Sequence, residues 1–425
     1  MSTQPDQNRV GTLVHAADLH LGAPLNSLGT KVGEERAKGL REQALGAFDR
    51  LIDLTLAQRA DILVLAGDLY DQAEYEVRAQ LRFATAMRRL VDAGVRVFIA
   101  HGNHDPLVAG FRPAATLPEE VTVFAPDQPQ AHTVVLRSGH TVDVAGVSFG
   151  RTHETVNLAQ RFQQLSTDPA RTIGVLHTNV GSNAQHGDYA PCTVADLAVA
   201  PVGYWALGHI HDRNVQQMGP GRWWAYPGNL QGRSTKATEC GPKGALVVPI
   251  LTDGFGTPQF HDCSTVRFAR TEVDVSAADN LGDALDLVSD HLGTLDADAG
   301  GRTLVARVRL VGTTTAHGAL TGEADLLELA RQQNATPVLI ATVELATRPN
   351  VDRAQVLARG NLQSDVMMSI GGVTDPAATL IDLLSDANQN AVKRLRDLLD
   401  ADTDLARDLL ARVESLLIEA LEEQS

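Results

Sequence analysis

Short apolar runs of strand length alternate with helical or loop stretches through roughly residue 262, and this alternation limits the folds open to the chain. The runs predict strands at 12–17, 61–67, 95–101, 140–149, 172–178, 204–209 and 244–251. Helical spacing of apolar residues predicts helices between the early strands, at 34–59 and 76–92. Such alternation is typical of a layered α/β domain, which is the fold class we expect.

A second pattern begins after Arg267. Strand, helix, strand, helix and strand are predicted in turn, at 269–275, 281–292, 302–312, 323–332 and 337–345. These elements are sufficient for a small α+β domain. The Gly-, Ser- and Met-containing stretch from Gly360 to Pro376 is predicted to be a linker.

An apolar helical stripe follows this linker within residues 391–421. Its members are Leu395, Leu398, Leu399, Leu405, Leu409, Val413, Leu416 and Leu417. Such a stripe either packs within its own domain or docks against a partner. We favour a partner, because the segment follows a linker and is too short to build its own core. The predicted domains are 1–262, 266–350 and 375–425.

Composition places the chain among ordinary globular proteins, with 425 residues of which 44% are apolar. No apolar run approaches the roughly 18 residues of a membrane span, and the N-terminus lacks the features of a targeting signal. Cys192, Cys240 and Cys263 form no C-x-x-C pair, which argues against disulfides and a thiolate zinc site. We expect a cytoplasmic protein that does not associate with membranes.

The formal net charge of −16 argues superficially against a polyanionic substrate. However, residues 375–425 contain twelve acidic and five basic residues, so much of the excess lies in this segment. Carboxylates that bind cations would account for a further part of it. The net charge therefore does not exclude a nucleic acid.

Polar clusters follow five of the predicted strands, at the edge where ligand sites form in α/β sheets. Their members are Asp18 and His20, Asp68, Asn103 and His104, His177, and the Gly-His-x-His pair His209 and His211. Aspartate, asparagine and histidine ligands without thiolates suit manganese, iron or zinc, and the oxygen content favours manganese. The ligand groups exceed what one ion needs, but they suit two ions about 3.5–4 Å apart. Because side chains alternate along a strand end, each histidine of the pair can serve one ion.

The ordered motifs D-x-H, G-D, G-N-H-D, H and G-H-x-H resemble those of the calcineurin-like metallophosphoesterases. The stretches GDLYD, HTNVGSNAQHGDYAPCT and YPGNLQGR resemble the DNA-repair exonuclease branch, the SbcD-type and YhaO-like nucleases. The resemblance is strong over the first 262 residues and rests on domain order and length beyond them. It implies a β-sandwich flanked by helices, followed by a small α+β capping domain and C-terminal helices.

The resemblance also implies a role for each site residue. Asp18, His20 and His211 would hold the first metal, and Asp68 would bridge to the second. The second would be held by Asn103, His177 and His209, and His104 would support the reaction without binding metal.

The implied activity is manganese-dependent phosphodiester hydrolysis on DNA, as a 3′–5′ exonuclease with endonuclease activity on single strands. Arg213, Arg233 and Lys236 are candidates for contacts with phosphates. The implied partner is an SMC-type ATPase (SbcC/YhaN-like), and the resemblance is compatible with a homodimer. Because the sequence has no GK dipeptide, any ATP-driven step requires a separate protein.

One position departs from many relatives. Asp71 stands three residues after Asp68, where archaeal and eukaryotic relatives often have a histidine, so a mechanism with a second catalytic histidine there does not apply. Two other functions stay open: a phosphoesterase for small molecules and a non-catalytic scaffold that binds DNA or the ATPase. The additional 160 residues favour the nuclease over the first, and the full ligand set with His104 argues against the second.

Several other residues admit simpler explanations. Ser148 lies in a G-x-S-x-G sequence, but the following RTHETVN is a poor helix start, so we do not expect a nucleophile. His15 is expected in the core, and His101, His153 and His186 in loops or supporting positions. Arg307 and Arg309 share one strand face, which either contacts DNA or faces solvent.

Overall fold

The computed structural model describes residues 8–23, 25, 34–71, 77–107, 115–181, 189–322, 338–350, 353–383, 389–401 and 403–422. These residues form two compact units. The first contains the described residues up to Arg270 together with those in 298–306 and 337–341, and the second contains the others. The predicted domain boundaries stay a prediction.

The strands in chain order are β1 (Arg9–Ala16), β2 (Ile62–Ala66), β3 (Arg96–Ala100), β4 (Val121–Val123), β5 (Gln130–Val135), β6 (Thr141–Val147), β7 (Thr172–His177), β8 (Tyr204–Gly208), β9 (Asn214–Gly219), β10 (Arg222–Tyr226), β11 (Gly244–Leu251), β12 (Gly254–Phe255), β13 (Gln259–Asp262), β14 (Val266–Asp274), β15 (Thr303–Thr314) and β16 (Val338–Pro349).

The α-helices are α1 (Glu34–Ala57), α2 (Val77–Asp92), α3 (Val194–Val199), α4 (Leu281–Ala299), α5 (His317–Gly322), α6 (Arg353–Ala358), α7 (Leu362–Gly371), α8 (Pro376–Leu383), α9 (Gln389–Ala401) and α10 (Thr403–Glu422). Short 3₁₀ helices cover Ala159–Gln164, Pro169–Arg171 and Ala237–Glu239.

The first unit contains two sheets. The order in one is β12-β11-β1-β2-β3-β4, with β13 also paired to β11, and the order in the other is β5-β6-β7-β8-β10-β9. One buried apolar cluster combines side chains of both sheets, among them Phe98 of β3 and Val175 of β7. Helices α1 and α2 contribute Phe48 and Phe83 to a second cluster with the first sheet. The predicted α/β sandwich flanked by helices is confirmed.

Parallel pairing brings the carboxyl ends of several strands to a common level in each sheet. In the first sheet, Ala16 pairs with Leu65 and Ala66 pairs with Ala100. In the second sheet, His177 at the end of β7 pairs with Gly208 at the end of β8. The loops that carry the polar clusters therefore begin at two aligned edges.

A three-stranded sheet in the order β14-β15-β16 follows, with α4 between its first two strands in the chain. The strands and the first helix agree with the predicted elements, whereas the predicted helix at 323–332 lies outside the described residues. Arg307 pairs with Glu344, and Arg309 Nη1 lies 2.7 Å from Glu272 Oε1. Both arginines thus have acidic partners on neighbouring strands.

The predicted linker from Gly360 to Pro376 is wrong, because most of it forms α7. The side chain of Asn361 accepts a hydrogen bond from the backbone N–H of Ser364 at 3.2 Å. Conversely, the Ser364 hydroxyl accepts one from the Asn361 backbone N–H at 3.1 Å. This reciprocal capping satisfies helix-terminal donors and so stabilises a short helix.

The packing of the apolar stripe also differs from the expectation. Five of its members pack into one apolar cluster with residues of α7 and α8: Leu395, Leu399, Leu405, Leu409 and Val413. Only Leu398 and Leu417 among its described side chains are strongly exposed, at 58% and 43%. The side chain of Leu416 lies outside the described residues. The stripe is mainly internal core, because α7 supplies the covering surface that a linker would have lacked.

Among the described residues, no helix has the length and apolar character needed to cross a membrane.

Leu399→Ala should lower the free energy of unfolding of the second unit by about 2–4 kcal/mol, because a buried leucine leaves a cavity. Leu398→Ala is the matched control, since the neighbouring leucine is 58% exposed and should change stability by less than about 0.5 kcal/mol. Urea unfolding followed by circular dichroism measures both. Equal effects would contradict the packing of the stripe.

Candidate metal centre

The backbone is strained at the proposed ligands. Six non-glycine residues in the described part of the chain have positive φ, and four of them are Asp18, His20, Asp68 and His209. Residues other than glycine rarely adopt this backbone conformation. It costs of order 1–3 kcal/mol and persists only where the surrounding structure enforces it. Such strain is concentrated at functional sites, and here it coincides with the polar clusters at the strand ends.

Two glycines of the motifs leave room for ligands of neighbouring clusters. A Cβ atom on Gly67, which precedes Asp68, would overlap the imidazole of His177. A Cβ atom on Gly102, which precedes Asn103, would overlap the carboxylate of Asp68. The glycines in G-D and G-N-H-D are therefore required for close approach, and the φ of 92° at Gly67 favours glycine as well.

Three imidazoles are held in the same tautomer. The Nδ1 atoms of His20 and His211 each lie 2.7 Å from a carboxylate, of Asp71 and Glu239 respectively. His177 Nδ1 lies 3.1 Å from the carbonyl oxygen of Ala66. Since these oxygens can only accept, each Nδ1–H donates, which leaves Nε2 as the ring nitrogen that would bind a metal. This is the arrangement that orients metal-binding histidines.

The Nε2 atoms of these rings converge with buried carboxylates. His20 Nε2 and His211 Nε2 are 3.4 Å apart, and with Asp18 they form one group able to hold an ion. Asp18, Asp68 and His177 form a second such group. The donor set of imidazole nitrogen and carboxylate oxygen fits manganese, iron or zinc.

Asp68 lies between the two groups. Its Oδ2 is 3.4 Å from His177 Nε2 and 3.9 Å from His20 Nε2. Its Oδ1 accepts a hydrogen bond from the backbone N–H of His104 at 2.9 Å. Burial works to raise the pKa of Asp68, but the imidazoles of His177 and His20 outweigh it and hold the pKa well below the usual range. The carboxylate is therefore ionised and faces both groups.

Asp18 is oriented from the second sheet. Both of its carboxylate oxygens accept from the backbone N–H of His209, at 3.0 and 3.1 Å. Its Oδ1 also lies 4.0 Å from His177 Nδ1, but that nitrogen already donates to Ala66. Burial raises the pKa of Asp18.

The other predicted ligands lie beside His177. Asn103 Oδ1 is 3.0 Å from His177 Nε2, so its amide oxygen points to the same place. The ring of His209 is 5.2 Å from that of His177 between centroids. The structure thus brings all the predicted ligand residues into one region.

Asp71 connects three groups around the site. Its Oδ1 lies 2.7 Å from His20 Nδ1 and 3.0 Å from His104 Nδ1, and its Oδ2 lies 3.2 Å from Arg233 Nη1. Burial opposes ionisation of this carboxyl, but the hydrogen bonds from His104 and His20 hold its pKa well below the usual range. His20, Asp71 and His104 also satisfy the spacing of a metal group. Hydrogen bonds account for their geometry, so we assign no ion there.

No sequence motif indicates Glu239 as a residue of the site. This buried carboxylate accepts from His211, from the Asn229 amide at 2.8 Å and from the Arg233 backbone N–H at 2.9 Å. Burial favours its neutral form, but the hydrogen bond and charge of His211 contribute to lowering the pKa of Glu239 to about 2. Lys243 supports the same loop, with its ammonium 2.8 Å from the His211 carbonyl oxygen.

Asp105 joins the loops after β2 and β3. Its carboxylate is buried and accepts from the backbone N–H groups of Leu69 at 2.8 Å and Gly102 at 2.9 Å. It also lies 3.1 Å from His101 Nδ1. His101 is therefore a supporting residue, as expected.

The remaining candidates fall outside the converging groups. Arg213 stacks on the ring of Phe260 at 3.9 Å, and Lys236 is exposed on the loop before Glu239. His153 is exposed, with its ring 5.1 Å from that of Tyr189. His186 lies outside the described residues.

Two further expectations concern buried residues. His15 is in the core, with hydrogen-bond partners in the Tyr204 hydroxyl and the Leu207 carbonyl. Burial lowers the pKa of His15 to about 3. The Ser148 hydroxyl is buried and donates to the Phe124 carbonyl at 2.6 Å, and no helix begins directly after it. Neither residue is placed for nucleophilic chemistry.

Glu239→Gln should weaken binding of the first manganese ion about 10- to 100-fold, because the single amide oxygen cannot accept both from His211 and from the Asn229 and Arg233 donors that the two carboxylate oxygens serve. Titration calorimetry with Mn²⁺ measures the affinity. Asp168→Asn is the control, since this exposed carboxylate precedes the opposite end of β7. Unchanged affinity in Glu239→Gln would show that His211 does not depend on this carboxylate.

Comparison with known proteins agrees with the motifs. Residues 11–213 match the calcineurin-like phosphoesterases, and residues 268–348 match the middle domain of metallophosphoesterase YhaO. The uncharacterized metallophosphoesterase YhaO of Bacillus subtilis is 32% identical over 302 residues, which cover 71% of this chain and 72% of that protein.

More distant similarity links the chain to proteins named DNA double-strand break repair protein Mre11. The Aeropyrum pernix protein is 30% identical over 51% of this chain and 53% of its own length. The Sulfurisphaera tokodaii protein is 26% identical over 49% and 51%. The chain thus spans about half the length of these two relatives. On the family match and the extent of the YhaO similarity, the chain belongs to the calcineurin-like metallophosphoesterases, in the group that contains YhaO.

Proposed function

We propose that the protein is a cytoplasmic, manganese-dependent DNA nuclease that acts in DNA repair. It would hydrolyse phosphodiester bonds as a 3′–5′ exonuclease and as an endonuclease on single strands. The family supports phosphoester hydrolysis, and a calcineurin-like fold uses a centre of two divalent metals. The similarity to proteins named for double-strand break repair supports DNA as the substrate.

The position of Asp68 between two ligand groups is the observation that carries this proposal. One oxygen of Asp68 faces both His177 Nε2 and His20 Nε2. A carboxylate in this position can bridge two ions. Asp18 is a weaker candidate for the bridge, because the His177 nitrogen nearest to it already donates to Ala66.

We therefore assign Asp18, His20 and His211 to the first ion, with Asp68 as the bridge. We assign Asn103, His177 and His209 to the second. The first set has its Nε2 atoms 3.4 Å apart, and in the second the Asn103 oxygen lies 3.0 Å from His177 Nε2. A pair of divalent ions supplies an activated water and neutralises the phosphoryl oxygens.

His104 is suited to proton transfer. Its side chain is 43% exposed, and its Nδ1 donates to Asp71, so its other nitrogen can reach a substrate. The hydrogen bond that Asp71 accepts outweighs burial and raises the pKa of His104, which keeps the ring protonated to higher pH. As the water oxygen bonds to phosphorus and releases one proton to solvent, the bond to the leaving oxygen would break and His104 would give its proton to that oxygen.

Groups beyond the centre would position DNA. Arg213 and Lys236 are exposed, and we propose that they contact phosphates, whereas Arg233 is already paired with Asp71. We propose that residues 266–350 are the capping domain that helps to position the duplex. A phosphoesterase for small molecules would share the metal ligands, and a scaffold would lack turnover, so both are tested by the assay below.

The purified protein should cleave end-labelled single- and double-stranded DNA with Mn²⁺ and should not cleave it after chelation. His104→Ala should lose cleavage about 10²- to 10⁴-fold but keep both ions, because it removes a proton donor and no ligand. Asp68→Ala should instead lose paired binding, since the two cations would repel each other without the bridge.

Metal content and turnover must be measured on the same preparations. If His104→Ala loses both metals together with activity, His104 is a ligand. Cleavage of small aryl phosphodiesters without cleavage of DNA would support the small-molecule enzyme. Absence of all turnover in the metal-loaded protein would support the scaffold.

We also propose an SMC-type ATPase as the partner. The internal packing of the stripe leaves Leu398 of α9 and Leu417 of α10 exposed. We propose that these two leucines contact the ATPase. Apolar residues of exposed helix faces bind by entering a groove on a partner.

Leu398→Asp combined with Leu417→Asp should weaken the affinity for the ATPase at least tenfold, because two charges would enter an apolar contact. Val199→Asp is the control, since this valine of the first unit is 70% exposed. Calorimetric binding measures the affinity. Binding that is unchanged in the double variant would place the docking surface elsewhere.

A further inference from the structure

A cavity of about 640 Å³ lies beside the proposed metal centre and takes no part in the proposed hydrolysis step. His20 and Arg233 form part of its wall, and α1 forms another part through Lys38, Arg41 and Leu45. Its volume is within the range of sites for small organic ligands. Because His20 is a proposed ligand of the first metal, the cavity adjoins the place where a phosphate would bind.

The interior of this cavity is largely apolar. Leu19, Leu21, Leu25 and Leu45 line it and are each less than 10% exposed. The Gln231 amide also lines it, but the nitrogen of this amide is already bonded to the Gly232 and Val266 carbonyls. The surface therefore suits an uncharged group that gains from leaving water.

The charged residues of the cavity wall largely neutralise one another. Arg41 Nη2 lies 3.4 Å from Glu34 Oε2, and Arg78 Nη1 lies 3.1 Å from Glu42 Oε1. An anionic backbone of DNA would gain little from Arg41 and Arg78, because each already has an acidic partner. A phosphate would thus remain at the metal ions, while an uncharged group attached to this phosphate would enter the cavity.

We propose that this cavity binds the nucleoside that adjoins the scissile phosphate, with the base against the leucines. The inference rests on the proposed function, because it takes the phosphate of a nucleic acid to lie at the metals. It adds a substrate-binding site to the metal centre and explains how a flanking nucleotide would be held during hydrolysis. Burial of the base against these leucines supplies most of the affinity that such a site adds.

The test compares three probes that share a phosphate: dAMP, 2-deoxyribose 5-phosphate and inorganic phosphate. Titration calorimetry on the full, manganese-loaded chain should show dAMP binding at least about tenfold tighter than the sugar phosphate. Ala44→Phe places a ring in the cavity from α1 and should abolish this preference while inorganic phosphate binds as before. Ala44→Ser is the matched control and should keep the preference.

Ala23→Phe fills the same cavity from the loop side and decides the question if Ala44→Phe does not fold, as judged by thermal unfolding. Equal affinity of wild-type protein for dAMP and the sugar phosphate would overturn the proposal. A preference that survives in both folded phenylalanine variants would also overturn it. DNA cleavage by the wild type is measured in parallel, so a failure of the nuclease function is distinguished from a failure of the cavity assignment.

Discussion

The contact between His177 and the end of β2 is the interaction on which the site depends. His177 ends a strand of the second sheet, and its Nδ1 donates to the Ala66 carbonyl of the first sheet at 3.1 Å. The absence of a side chain on Gly67 lets the ring lie against this backbone. One imidazole therefore fixes its own tautomer and holds the strand ends of both sheets close enough for their ligands to converge.

The regular elements that carry the site could be predicted from the sequence, because buried strands and amphipathic helices have strong patterns. Strands β5 and β9 were not predicted, since QAHTVV and NVQQMG lie at sheet edges and are largely exposed. Helix α7 was mistaken for a linker because its glycine and serine content concealed a capped helix. Without helix α7, the apolar stripe has no covering surface in the chain, and its pattern then favours a partner.

The positions of the proposed ligand residues were also predictable, since each lies at or shortly after the end of a strand. Their supporting groups were not. Asp71 is 51 positions from His20, and Glu239 is 28 positions from His211, so no local spacing relates them. Only the folded chain brings a carboxylate to the second nitrogen of each ring.

The site joins residues that are distant in the chain. His20 and His211 are 191 positions apart, yet their Nε2 atoms lie within 3.4 Å. Ions held between them would act as a non-covalent cross-link that closes a long loop, and such loops are the most costly to order without a link. Since cations bound in this way favour only the folded state, the thermal stability of the first unit would depend on free metal concentration. Resistance to unfolding would then rise and fall with the supply of metal in the surroundings.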